Sequence, residues 1–223
     1  KTYTNWEMII VDDCSRDDSF RIAKKYSNHD SRISVVKFGK RSGPAAARNA
    51  AIEKAAGRYI AFLDSDDIWL PEKLEKQIHL MHRNSIPFSY TAYEKIDVSG
   101  RRCGRFVYVP ESGCYNNLLS GCFIGCSTAV YDVDMVGKLY MPPLMRAQDY
   151  GLWLNILRSG HIALGINQIL ALYRERPGSL SSSKLRKAYY QWRIYRNLEK
   201  ISMAKTVKLF CQYRVKGIHK KMI

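Results

Sequence analysis

No run of roughly 18 to 20 uninterrupted apolar residues occurs in the chain, so no segment is suited to cross a bilayer as a helix. The opening Lys1-Thr2-Tyr3-Thr4-Asn5 carries no secretory-signal pattern. The six cysteines, Cys14, Cys103, Cys114, Cys122, Cys126 and Cys211, are scattered, and no spacing among them repeats as in a disulfide scaffold. Zinc is not expected either. Cys122 and Cys126 have no second Cys/His pair at ligand spacing nearby, and His79 with His82 make only half a site. Internal repeats and long low-complexity segments are absent. These gaps leave a protein suited to a reducing cytoplasm.

Acid is also scarce: 20 Asp and Glu face 36 Lys and Arg, a net charge of +16. The surplus is uneven. From Lys184 onward twelve basic residues stand against the single acid Glu199, so that stretch alone carries +11. Tyr189, Trp192, Tyr195, Leu198, Val207 and Phe210 are interleaved with them, mostly three and four apart, which predicts one or two basic amphipathic helices. Three readings stand open for this tail: a solvated face with its apolar stripe packed on the domain, attachment to an anionic membrane surface, or nucleic-acid binding. The last has no accompanying nucleic-acid signature, and none is expected.

What is abundant is apolar material, 46% of 223 residues, enough for one sizeable core and a single α/β domain with appendages. The first half alternates strands and helices, the pattern of a mostly parallel sheet with helices on both faces. Strands are predicted at residues 6–12, 32–38 and 59–63. Helices are predicted from Ser15 as N-cap to about His29, from Pro44 to a stop at Gly57, and from Pro71 to about Arg83. After Pro87 the pattern changes to paired strands at residues 88–96 and 105–109 around the turn Asp97-Val98-Ser99-Gly100. A strand at residues 126–131, a helix at 148–158 ending at Gly160, and extended chain at 161–173 follow. A domain boundary falls near Ser179–Ser183, dividing residues 1–180 from a helical tail, 181–223.

Two of the apolar runs end in acids. Asp12-Asp13 closes Met8-Ile9-Ile10-Val11, and Asp64-Ser65-Asp66-Asp67 closes Tyr59-Ile60-Ala61-Phe62-Leu63. An acid directly after a buried strand reaches the sheet's carboxyl edge, where open α/β sheets bind ligands. Carboxylates gathered there repel one another unless a cation joins them, so a divalent metal and a phosphate-bearing ligand are the natural occupants.

Four ordered strings, Trp6 to Ser15, Gly43-Pro-Ala-Ala-Ala-Arg48-Asn49, Phe62 to Asp67, and Gln148-Asp149-Tyr150-Gly-Leu-Trp153-Leu, together resemble the family 2 glycosyltransferases of the GT-A (Rossmann-like) fold, over roughly residues 3 to 180. The resemblance implies transfer of a sugar, with inversion, from a nucleotide-diphosphate donor (usually UDP) to an acceptor hydroxyl. It implies Mn²⁺ or Mg²⁺ on Asp66, and donor contacts from Asp12, Asp13, Arg48, Asp64, Asp67 and Arg176. Asp149 matches the catalytic base, since inversion needs one base and no carboxylate nucleophile. Several assignments have a plainer alternative: Asp13 and Asp64–Asp67 as caps and turns, Arg48 as a helix-surface residue, Asp149 as a helix-start charge. Trp153 reads as core. The sequence Gln191-Trp192-Arg193 does not reproduce the processive Gln-x-x-Arg-Trp pattern, which favours single additions.

The implied partners are a glycan or lipid-linked saccharide acceptor and an anionic membrane, which places the protein peripherally on the inner face of the cell membrane. Relatives usually begin with a further apolar strand that this sequence does not show. A truncated, inactive membrane scaffold is therefore the alternative reading, with a phosphate-receiver domain as a more distant one.

Overall fold

The computed structural model describes residues 1–176 and 184–219. The domain boundary expected near Ser179–Ser183 lies outside them. The first half is built as β1 (Met8–Asp12), α1 (Ser19–His29), β2 (Ile33–Lys37), α2 (Pro44–Lys54), β3 (Tyr59–Ala61), β4 (Ile68–Trp69) and α3 (Lys73–Asn84). Then come β5 (Phe88–Ile96), β6 (Arg102–Val107), β7 (Ser112–Gly113), α4 (Tyr115–Leu119), a 3₁₀ turn (Cys126–Thr128), β8 (Val130–Asp132) and α5 (Val133–Val136). The remainder is α6 (Gln148–Arg158), β9 (Ala163–Arg174), α7 (Lys184–Arg193), a π turn (Ile194–Leu198) and α8 (Met203–His219).

The α/β class forms as the alternation predicts. Parallel pairing joins β1 to β2 and β5 to β9, the two longest registers. The pairings β3–β8, β4–β9, β5–β6, β5–β8 and β7–β9 are antiparallel and shorter. The strands divide into the β1–β2 pair and a larger sheet in the order β3-β8-β5-β9-β4, with β6 on β5 and β7 on β9. Short antiparallel returns such as β8 thus enter between the crossover strands, a mixture that periodicity along the chain does not reveal.

Two local expectations change. Ser15 does not cap α1: its amide donates to the Asp12 carboxylate at 3.3 Å, and the helix begins at Ser19 after Asp18. The Asp12 carboxylate draws the chain into a turn at Ser15, with Cys14 held at φ 59°, and helical backbone starts only beyond Asp18. The segment expected as a strand from Cys126 opens as a 3₁₀ turn and becomes β8 only at Val130. Pro44 starts α2 as expected, after Gly43 at φ 90°.

The core gathers on α6 and β5. Trp153 is fully buried, 5.0 Å from the Phe88 ring and 5.6 Å from the Phe62 ring between centroids, so it is core as the sequence reading has it. Burying side chains of this size contributes about 1.5–3 kcal/mol each. The start of the basic tail docks on the same helix: Gln191 donates to the Tyr150 hydroxyl at 3.1 Å, and Arg158 pairs with the buried Glu199 at 2.6 Å. Tyr115 also hydrogen-bonds Glu199. The α6 helix is thereby fixed from behind, which bears on the acid at its front end.

Candidate active site

The strand ends deliver their acids to one side of α2. Asp13, just after β1, accepts the amides of Ser42 at 2.7 Å and Gly43 at 2.9 Å on its two oxygens. That bidentate grip ties the end of β1 to the start of α2. Asp12, 6% exposed, turns inward and holds the Ser15 amide.

One turn into α2, Arg48 forms an ion pair with Asp64, which follows β3. Burial alone would lower the pKa of this guanidinium, but the carboxylates of Asp64 and Asp149 counter it and hold it raised. Arg48 is therefore no exposed helix-surface arginine: it pairs with Asp64, and its charge is felt by Asp149 from a distant segment. Its neighbour Asn49 clamps the backbone of Met141, donating to its carbonyl at 2.9 Å and accepting its amide at 2.8 Å. The loop leading to α6 is anchored to α2 by that clamp.

Asp149 sits in the first turn of α6. Burial raises its pKa, partly countered by Arg48, while Asp64 adds to the rise. A carboxylate so placed holds a proton more strongly than a solvated one, which suits a base. Cys126 is enclosed by the same group, and burial with Asp64 nearby pushes its thiol well up, so it is no ready nucleophile.

The acidic run itself is divided. Asp66 pairs with Arg176 at 3.3 Å. Asp67 accepts the Ser127 hydroxyl at 2.6 Å and the Arg174 amide at 3.0 Å, and burial lifts its pKa to about 6. The Ser127 oxygen also accepts the Asp64 amide at 3.1 Å. Arg174 closes this corner, donating to the Asp66 carbonyl at 2.8 Å and the Asp97 carbonyl at 3.0 Å.

Ser127, Asn49 and Arg174 are positioning residues the sequence reading did not assign. Ser127 had no signal, because its segment read as a strand. Arg174 stands two residues before Arg176, which alone was assigned there.

Among the described residues no set of three His, Cys, Asp or Glu side chains forms a metal cage. The donor chemistry still fits Mg²⁺ or Mn²⁺. Such ions are usually held by one or two carboxylates plus substrate phosphates rather than by a protein cage, and Asp66 offers a carboxylate whose partner among the described residues is a half-exposed arginine.

Comparison with known proteins gives the same architecture a family. The family model for glycosyl transferase family 2 matches residues 1–131. TuaG of Bacillus subtilis (strain 168), a glycosyltransferase by name and provisionally assigned to teichuronic acid biosynthesis, is 41% identical over 222 residues, covering all of this chain and 88% of TuaG. WfgD of Escherichia coli, named a UDP-Glc:α-D-GlcNAc-diphosphoundecaprenol β-1,3-glucosyltransferase, is 39% identical over 221 residues, covering 99% of this chain and 85% of WfgD. The crystal structure of S. aureus TarS 1–349 in complex with UDP-GlcNAc superimposes with a TM-score of 0.66 at 19% identity over 93% of this chain. This chain spans 62% of that TarS chain, and the likeness is one of fold, GT-A. With four ordered motifs, a family-model match over more than half its length, and near-full-length relatives at about two-fifths identity, the chain belongs to glycosyltransferase family 2.

Proposed function

We propose that the chain transfers a sugar, with inversion and with a divalent metal, from a UDP-sugar to a hydroxyl of a lipid-linked or polysaccharide acceptor at the inner face of the cell membrane. The observation that carries this is Arg48, mostly shielded from solvent, which pairs with the acid following β3 and lies within electrostatic reach of the acid opening α6. In this reading the acceptor hydroxyl attacks the anomeric carbon, its proton passes to Asp149, and the bond to the nucleotide diphosphate breaks on the opposite face. A free carboxylate is a weak base for a sugar hydroxyl, so transfer of the proton accompanies attack, and positioning carries much of the rate.

Asp66 would hold the metal, which when bound neutralises the departing diphosphate as a Lewis acid. Asp64 and Asp67 face the donor, with Ser127 fixing both. Arg176, paired with Asp66 here, is placed to move onto the diphosphate. Asp12 supplies a carboxylate suited to the uracil imide N–H or ribose hydroxyls. Asp13 acts through the loop it grips.

Two supports favour a lipid-linked acceptor and membrane contact. WfgD's name carries a diphosphoundecaprenol acceptor. The α8 helix turns Thr206 and Leu209 inward but leaves Met203 and Val207 about half exposed beside the exposed Lys205 and Lys208, a surface suited to anionic lipid. No helix among the described residues is long and apolar enough to cross a membrane.

The deciding experiment incubates the protein with a panel of UDP-sugars, Mn²⁺ and diphosphate-linked acceptors. Asp66→Ala should weaken metal and donor binding, whereas Asp149→Asn should keep donor binding and abolish transfer. Variants that bind and react like the parent would sink these assignments.

A further inference from the structure

One buried group plays no part in this mechanism. Lys73, the first residue of α3, is 1% exposed, and among the described residues its amine has no hydrogen-bond partner. It lies 4.2 Å from the centre of the Trp69 ring. Desolvation by burial lowers its pKa well below that of an ordinary lysine. Burying an amine without a partner costs free energy that an apolar side chain of the same length would not. Packing alone therefore does not account for it.

What Lys73 touches leads toward the acids. The Trp69 indole N–H donates to the Ser127 carbonyl at 2.6 Å. One helical turn after Lys73, the fully buried Gln77 donates to the next carbonyl, that of Thr128, at 3.0 Å. Two successive carbonyls of the 3₁₀ turn are thus held by polar groups of the β4–α3 segment. The same turn presents the Ser127 hydroxyl to Asp67 and to the Asp64 amide.

We propose that Lys73 is a positioning residue for the donor site: its amine seats the Trp69 indole, the indole fixes the Ser127 carbonyl, and the Ser127 hydroxyl is thereby aimed at Asp64 and Asp67. The inference rests on the donor-binding reading of those two acids. An amine over an indole face makes a directional N–H···π contact, and here it acts two steps from the ligand.

The test measures UDP binding in the presence of Mn²⁺ by titration calorimetry, with thermal melting alongside. Lys73→Met, or Lys73→Gln if the first does not fold, should weaken UDP binding about tenfold, equivalent to about 1.4 kcal/mol, even where its Tm equals or exceeds the parent's. Trp69→Phe, which keeps a ring and loses the N–H, should show a loss of the same order. Because the two residues act in series, the double variant should bind no more than about threefold more weakly than Trp69→Phe alone. A Lys73 variant that binds UDP within threefold of the parent overturns the inference, whatever its Tm, and so does a double variant whose two losses multiply. A parent that binds no UDP with Mn²⁺ overturns the donor reading as well, which separates the two failures.

Discussion

Gly151 lies two residues past Asp149 in α6, where a helix would ordinarily gain from any side chain. Replacing glycine by alanine in a helix interior is worth about 1 kcal/mol in propensity. The structure opposes that gain from two sides. A Cβ at Gly151 would stand 2.6 Å from the Pro142 Cγ, 3.2 Å from the Pro142 Cδ and 3.0 Å from the Leu198 Cδ2.

Leu198 can rotate, but Pro142 is a ring on the loop that Asn49 clamps at Met141, so relief requires α6 to move away from that loop. Overpacking of this kind costs about 1–3 kcal/mol, and the rigid partner places it at the upper end. The net expectation for Gly151→Ala is a loss of about 1–2 kcal/mol. With roughly 2–4 °C per kcal/mol for a chain of this size, Tm falls by about 2–8 °C.

In the proposed role of Asp149 as base, the displacement also shifts it relative to the acceptor, and a shift of about 1 Å can cost about a hundredfold in rate. Calorimetric melting, kcat from a coupled UDP-release assay and UDP affinity are the three readings. Tm and kcat should fall while UDP affinity stays near the parent's. A Gly151→Ala protein with raised Tm and unchanged kcat would show that α6 is not wedged, and the reasoning about what holds Asp149 would fail.

Because Asp149 has to be ionised to accept a proton and its pKa is raised by burial, kcat/KM should climb with pH through a midpoint above the ordinary carboxylate range. Arg48→Gln removes the cation that counters the rise, so the midpoint should move to higher pH; a midpoint that stays or drops contradicts the Arg48–Asp149 coupling. Asn49→Ala deletes two hydrogen bonds to Met141, each worth about 0.5–1.5 kcal/mol, and should lower Tm and kcat with little effect on UDP affinity, a result checked by the same assays. Replacing both Lys205 and Lys208 by Gln should weaken binding to phosphatidylserine vesicles by about 2 kcal/mol, roughly thirtyfold, at low salt; sedimentation showing equal binding would remove α8 from the membrane surface.

The elements that carry the acids were legible because their signals are local. Pro44 after Gly43 announces the start of α2, the apolar runs ending at Asp12 and Leu63 announce strands, and Gln148–Arg158 forms as a helix over those residues. Ser15 misled because the carboxylate of Asp12 holds its amide in a turn, which delays the helix to Ser19. Ser127 was invisible because nothing in Cys126-Ser127-Thr128 marks a 3₁₀ turn against a strand. Its importance comes from partners far away in the chain, at Asp64, Asp67 and Trp69.

By itself the sequence determined the α/β class, the family, and which acids stand at the ends of buried strands, since strand, helix and turn preferences act over a few residues. Only the tertiary structure decided what each carboxylate is committed to: Asp13 to the loop opening α2, Asp67 to Ser127 and the Arg174 backbone, Asp66 to Arg176, and Asp64 with Asp149 to the field of Arg48. Hydrogen bonds reach about 3 Å, and charge–charge interactions between solvated groups are largely screened beyond about 10 Å. Which groups come within that range is settled by packing between segments remote in the chain.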